Sequence, residues 1–321
     1  MTTTVNDAVQ TETHTPGNLP VREPFHPWRW VVASAALIIT GLIVRAFATA
    51  PNINWAVVRT YLFDGTILKG LELTIILGVA AQLLAIVLGV LLAVMRMSTN
   101  PVLDVISGFY VFIFRGMPGL LQILFWYNIA LVFPRIGISI PFTSLGWSAE
   151  TNTLITSAVA AVLGLGLNEA AYMCEIVRGG VDSVDPGQME ATRALGLRGF
   201  QRLRYVVLPQ ALRAIVPTTG NEFISMLKNT SLVSVIAAHE LLTTAQTIYS
   251  RNFFTIELLL VASFWYLVVT TVATALQTRL ERYLGRTDRH VRRSAWQLLL
   301  DKARTRFASR DINEVAGRTE S

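Results

Sequence analysis

The sequence predicts an all-α integral membrane protein with six transmembrane helices, and three observations carry that prediction. The apolar residues gather into runs of about twenty, the length a helix needs to cross a hydrocarbon core of roughly 30 Å. Only 15% of the 321 residues are charged while 52% are apolar, a balance that a water-soluble surface could not easily cover. Basic residues cluster in alternate connections between the runs, as they do where they fix orientation in a bilayer. The formal charge of +6 would suggest nucleic acid on a soluble surface. Here the cations lie beside apolar runs, so no nucleic-acid partner is expected and membrane lipid is.

Residues 1–27, with "THTPGNLPVREP", have the polar composition of a disordered tail. The first apolar run begins near Trp28 and has no clear A-x-A cleavage site, so it reads as a retained span rather than a signal peptide. The six expected spans are Trp30–Ala48, Leu71–Met95, Val105–Phe133, Leu154–Ile176, Leu212–Ala238 and Leu258–Leu276. Arg178, Arg193, Arg198, Arg202 and Arg204 crowd the connection after the fourth span, and Arg279, Arg282, Arg286, Arg289, Arg292 and Arg293 follow the sixth. By contrast, 133–153 carries only Arg135 and 239–257 only Arg251. The positive-inside rule therefore puts both termini in the cytoplasm, in agreement with an even span count.

Two spans hold helix breakers. The third contains "FRGMPGLLQ", with Arg115, Gly116, Pro118 and Gly119, and the fifth contains Pro217 and Gly220. Irregular backbone at membrane depth survives only beside protein or a wet cavity, and broken helices recur where transporters pass cargo. After the sixth span, Arg289 to Arg310 can form a basic amphipathic helix with Trp296, Leu299, Leu300, Ala303 and Phe307 on one face. An interfacial helix is preferred there, with a solvated charged tail as the alternative.

The polar residues inside the spans are the candidate path. Thr218, Asn221, Glu222, Ser225, Lys228 and Asn229 recur at helical spacing and form one stripe of the fifth span. An ionised side chain at the bilayer centre costs about 2.5–3.5 kcal/mol by insertion scales, so the stripe must face protein or water. It either lines a path or meets partners that glue the bundle; a whole stripe exceeds what gluing needs. In the fourth span, Asn168, Glu169, Tyr172 and Glu175 share about a third of the helix circumference. Glu175 can pair with Arg178 one turn on. Glu169 and Tyr172 suit the ammonium group of a zwitterion, or pairing within the bundle, and the sequence leaves both open.

Several chemistries are excluded. The "AHELL" stretch around His239 and Glu240 lacks the second His of H-E-x-x-H, and no G-x-S-x-G occurs. The lone Cys174 rules out an internal disulfide and a cysteine metal cluster, so no metal site is expected. No G-x-x-x-x-G-K-[ST] loop exists, so the chain binds no nucleotide by that route.

The connection at 179–207 is built with care. Asp185 is an N-cap, Pro186 takes the first helical position, and Gln188 stands at capping-box spacing. A short helix through Met189 to Leu195 stops at Gly196, and a second begins near Gly199. The product is a rigid rod on the cytoplasmic side that presents Met189, Ala191, Thr192 and Leu195.

Glu190, Ala191, Thr192, Gly196, Val206, Leu208 and Pro209 follow the pattern E-A-A-x3-G-x9-I-x-L-P, with Thr192 for the second Ala and Val206 for Ile. In this the sequence resembles the permease subunits of ABC importers. "LELTIILGV", "EIVRGGVDSVDPGQMEATRALGL" and "GNEFISMLKNTSLVSVI" are similar to the polar amino-acid uptake subfamily (histidine, glutamate, glutamine or arginine type), although Met117 stands where a Thr is expected. The resemblance covers about residues 66–285 and implies a type I importer-like, five-helix permease core. The additions to that core are the tail 1–27, an extra N-terminal helix with an external loop at 28–65, and the basic tail 286–321. It further implies a pair of ABC ATPase subunits that bind ATP-Mg, an extracytoplasmic solute-binding protein, and a second permease copy or paralogue. No cofactor is expected on this chain, nor an enzymatic activity of its own. The segment 186–195 would be the coupling helix that docks into the ATPase. A stand-alone secondary transporter or channel is the alternative, one with no reason to keep that loop.

Overall fold

The computed structural model describes residues 27–139 and 146–284; the amphipathic segment expected at 289–310 lies outside the described residues. The described residues fall into two compact units, divided after Ile53. In the first, helix α1 (Pro27–Ala48) has 22 residues, about 33 Å at the α-helical rise. Its side chains from Trp30 to Ala46 are exposed.

The second unit is a helical bundle. It opens with α2 (Trp55–Leu62) and α3 (Gly65–Arg96), capped by Asn54 and Asp64. Next come α4 (Pro101–Gly116), α5 (Gly119–Tyr127), a hairpin of β1 (Arg135–Ser139) and β2 (Gly146–Glu150), and the short α6 (Thr151–Leu154). Then follow α7 (Ser157–Asp182), α8 (Pro186–Ala194), α9 (Gly199–Arg202) and α10 (Leu208–Asn229), with α11 (Leu241–Asn252) and α12 (Thr255–Leu284) last. Helices α3, α7 and α12 are each long and apolar enough to cross a membrane, and α4 with α5 form a fourth candidate as one span bent by 101°. The fifth expected span corresponds to α10.

Helices α3 and α7 form the central pair and run parallel. Gly166 faces the Ala81 carbonyl and Leu84, while Gly89 faces Ala170 and Met173, so side chains here would hold the backbones apart. Small residues serve the same purpose across membrane bundles, where close approach supplies the attraction that water-driven burial cannot. Helix α10 packs antiparallel on α7, with Ile215 over Gly180 and Met226 in the cluster around Leu165.

Three expectations change. The third span does break, between Gly116 and Gly119, and the freed carbonyls find donors. Gln122 Nε2 lies 2.9 Å from Phe114 O and 3.0 Å from Met117 O, and Asn168 Nδ2 lies 2.8 Å from Phe114 O. The fifth span does not break at Pro217 or Gly220. Helix α10 runs through both, with Gln277 Nε2 donating to Pro217 O at 3.0 Å. Its interruption comes after Asn229, as a 3₁₀ stretch Thr230–Ile236 ending at Ala237 in the left-handed region (φ 51°). The all-α expectation is modified by the hairpin, paired antiparallel from Arg135↔Glu150 to Ser139↔Gly146. In addition, the stretch 239–257, read as a connection, contains α11, whose Thr-rich sequence hides an amphipathic helix.

Candidate functional site

The stripe of α10 and the polar face of α7 meet inside the bundle. Glu169 is buried, and Glu222 of α10 lies within electrostatic reach of it. One turn away along α10, the Thr219 hydroxyl points at the Met173 sulfur, 3.8 Å off, and Gln82 of α3 approaches the same sulfur at 3.8 Å. Residues from α3, α7 and α10 thus converge on one locus. Three oxygens of the neighbourhood, Gln82 Oε1, Gln122 Oε1 and Glu169 Oε1, are buried without a hydrogen-bond donor. A buried acceptor left unpaired costs about 1–3 kcal/mol, so these oxygens suit a ligand rich in N–H donors.

Beside this locus the α4–α5 bend supplies a cation. The Arg115 guanidinium sits 5.1 Å from the ring centre of Tyr172, a cation–π geometry that joins the bend to the polar face of α7. Tyr110 donates to Leu167 O at 2.8 Å and stacks on Phe114 within α4, so this stretch of α4 is tied to α7. Glu175 lies apart, paired with Arg178 at 2.7 Å, and Arg178 also reaches Asp182 at 3.0 Å. Ser225 is half-buried, while Thr218, Asn221, Lys228 and Asn229 are exposed on this single chain. The side chains of Asn221, Lys228 and Asn229 have no partner among the described residues. For groups this polar within the bilayer, such exposure requires water or a second protein surface.

The cytoplasmic rod forms as its caps dictate. Asp185 Oδ1 accepts from Gln188 N at 3.2 Å, and α8 ends in a Schellman motif, with Gly196 at φ 68°, Leu197 N to Thr192 O at 3.0 Å and Gly196 N to Arg193 O at 3.0 Å. The positive φ is why Gly stands there. The rod's faces differ from the expected arrangement. Thr192 is buried and Met189 packs on Val184, Val207 and Ala211, so both turn towards their own chain. The reason is amphipathicity: positions 189 and 192 are one turn apart and are the ones that can cover the roots of α7 and α10. Glu190, Ala191 and Leu195 face outward, Leu195 at 76% exposure.

One polar knot was missed by reading the sequence. Glu240 is fully buried and caps α11, accepting from Leu242 N (2.8 Å), Thr243 N (2.7 Å), Thr243 Oγ1 (3.0 Å) and the Tyr266 hydroxyl (2.7 Å). Thr74 of α3 accepts from Leu241 N at 3.0 Å, so the knot ties α3, α11 and α12 together. Gln82 and Gln122 were also passed over, though each is a lone amide in an otherwise apolar run, the signal that intramembrane polar residues give. Among the described residues no group of three or more His, Cys, Asp or Glu is placed to hold a metal.

The family described as "Binding-protein-dependent transport system inner membrane component" matches residues 85–286. The chain is 43% identical over 262 residues to the arginine transport system permease protein ArgU of Corynebacterium glutamicum, covering 80% of each. It is 35% identical over 216 residues to the glutamate/aspartate import permease protein GltK of Escherichia coli O157:H7, covering 67% of this chain and 92% of that one. A solved structure described as an amino acid ABC transporter with histidines aligns with a TM-score of 0.59 and 33% identity, covering 68% of this chain and 94% of that one.

Proposed function

Because the chain belongs to the binding-protein-dependent transport system inner membrane components, we propose that it forms the transmembrane path for a polar amino acid. In this reading a solute-binding protein delivers the amino acid, a pair of ABC ATPase subunits binds ATP-Mg, and a second permease copy or paralogue completes the path. The names of the relatives support the cargo class. The observation that carries the reading is Glu169, itself with an undonated oxygen, within electrostatic reach of Glu222 and accompanied by the undonated oxygens of Gln82 and Gln122. Two carboxyl groups and two undonated amide oxygens favour the ammonium or guanidinium end of an amino acid. Arg115, held over Tyr172, stands ready for its carboxylate.

The exposed part of the stripe, Asn221, Lys228 and Asn229, faces the second permease across a wet seam, which removes the cost of presenting it to lipid. Helix α8 is the coupling element, with Glu190, Ala191 and Leu195 as its contact face and Asp185, Pro186, Gln188 and Gly196 fixing its shape. Both termini lie in the cytoplasm, on the side of α8. Movement of the ATPases drives rigid-body alternation of the path between inward- and outward-facing.

Reconstitution with the ATPases and the solute-binding protein tests this. Uptake of labelled amino acid is expected to need ATP and to fall at least tenfold in Glu169→Gln and Glu222→Ala, while both variants still hydrolyse ATP. Uptake by this chain alone, driven by an ion gradient, would overturn the reading.

A further inference from the structure

Helices α10 and α12 lie antiparallel in one register. Tyr266 reaches Thr230 towards one end of the pair, and Gln277 donates to Pro217 O towards the other. Position 278 therefore stands about level with 218, 274 with 222 and 270 with 226. Helix α12 is two-faced about this contact. At about 100° per residue, Thr270, Thr274, Thr278 and Glu281 fall on the side to which the polar stripe of α10 turns. Val272, Leu276 and Leu280 fall on the other side. Thr218, Asn221 and Ser225 of α10 thus border a groove whose far wall is the threonine row.

Every hydroxyl of that row is already spent as a donor. Thr270 donates to Tyr266 O at 2.8 Å, Thr274 to Thr270 O at 2.7 Å and Thr278 to Thr274 O at 2.9 Å. Thr218, on the α10 wall, donates to Ala214 O at 3.0 Å. Each oxygen keeps its lone pairs and has no proton to offer, so the row presents acceptors about 6 Å apart. Lipid tolerates threonine bonded back to its own helix, but lipid alone gives no reason to sort it to one side, away from the leucines.

The row ends at the half-buried Glu281, which accepts from Gln277 Nε2 at 2.9 Å. Among the described residues, neither helix sends a cation into the groove between the levels of Thr270 and Thr278. Lys228 lies beyond Thr270, Arg279 projects on the side of Val272, and Arg213 at the mouth is already engaged. The opposite end of the bundle differs: a cleft of about 630 Å³ there mixes Asp64 with Lys69 and Arg251.

Resting on the reading above, we propose that this groove is the half of the path nearer α8 and that it selects cargo with a cationic side chain. From Glu222, level with Thr274, an ammonium or guanidinium group passes by way of Thr278 to Glu281 and meets an acceptor at each turn. An acidic side chain on the same course meets only lone pairs and carboxylates, which disfavour it.

Single cysteines test the groove, since the native Cys174 is buried. In the nucleotide-free complex, Thr274→Cys and Thr278→Cys should react with a cationic trimethylammonium methanethiosulfonate at least tenfold faster than with an anionic sulfonate one, each rate taken relative to a free thiol. Leu276→Cys should react with neither, and Glu281→Gln should bring the two rates at Thr278→Cys together. Thr274→Val/Thr278→Val keeps the shape without the acceptors. It should raise the KM for uptake of labelled arginine at least fivefold while ATP hydrolysis is retained. The inference is overturned by equal rates for the two reagents, by equal labelling of Leu276→Cys, by an unchanged KM, or by an unmodified complex that imports glutamate but not arginine. ATP-dependent uptake of neither amino acid would instead overturn the transport reading itself.

Discussion

At the scale of single residues, the carboxyl groups divide by their surroundings. Glu240 is buried with donors on every side, Glu175 is held by Arg178, and Glu169 keeps an oxygen without a donor. The first two stabilise; the third is the one the proposed path would use. Tyr266→Phe removes one donor from the knot and is expected to lower stability by about 1–3 kcal/mol, read as an earlier thermal transition of the detergent-solubilised chain. Gly164 makes a second case. A Cβ there would sit 2.7 Å from Ile123 Cα, whereas at Gly179 it would meet nothing within 4 Å. Gly164→Val should cost about 1–3 kcal/mol by overpacking in the same thermal assay, and Gly179→Ala should leave the transition in place. Glu169, Glu222 and the caps of α8 were legible because charge inside an apolar run and cap chemistry are local signals. Glu240 was not, because its donors come from residues as distant in sequence as Tyr266.

At the scale of elements, proline does not by itself decide where a membrane helix breaks. Pro118 breaks the third span because Gln122 and Asn168 collect the freed carbonyls, while Pro217 is absorbed into α10. The sequence announces both prolines equally; only packing tells them apart. Asn168→Leu removes one of those donors and should loosen the bend, detected as faster thiol labelling of a cysteine placed at Gly116. The rod α8 was readable almost residue by residue, except for which face turns inward, since that depends on the roots of α7 and α10. Glu190→Lys and Gly196→Asp are expected to uncouple ATP hydrolysis from uptake while the chain stays in the membrane. In the second of these, a side chain is forced into φ 68°, adding a local cost of about 1 kcal/mol. Normal transport and ATPase capture by both variants would remove α8 from the coupling role.

At the scale of the whole molecule, the bundle carries α8 at one end and the cleft beside Lys69 and Arg251 at the other, with the polar locus between. The apolar runs made the long helices visible from sequence alone. The hairpin, α2 and α11 escaped because they are short, and their sequence patterns resemble ordinary connections. Cluster packing at the foot of α8 has one more consequence. Val181 and Val184 from the end of α7, Val207 and Ala211 from the start of α10, and Met189 of α8 are clamped into a single knuckle. A push on α8 cannot tilt one of these helices without the other. In the proposed alternation Glu169 and Glu222 would therefore ride on the same rocker, their spacing constant while the side from which they can be reached changes. Paired spin labels on α7 and α10 should report one unchanging distance through the ATP cycle, even as reagents reach the site first from one face of the membrane and then from the other.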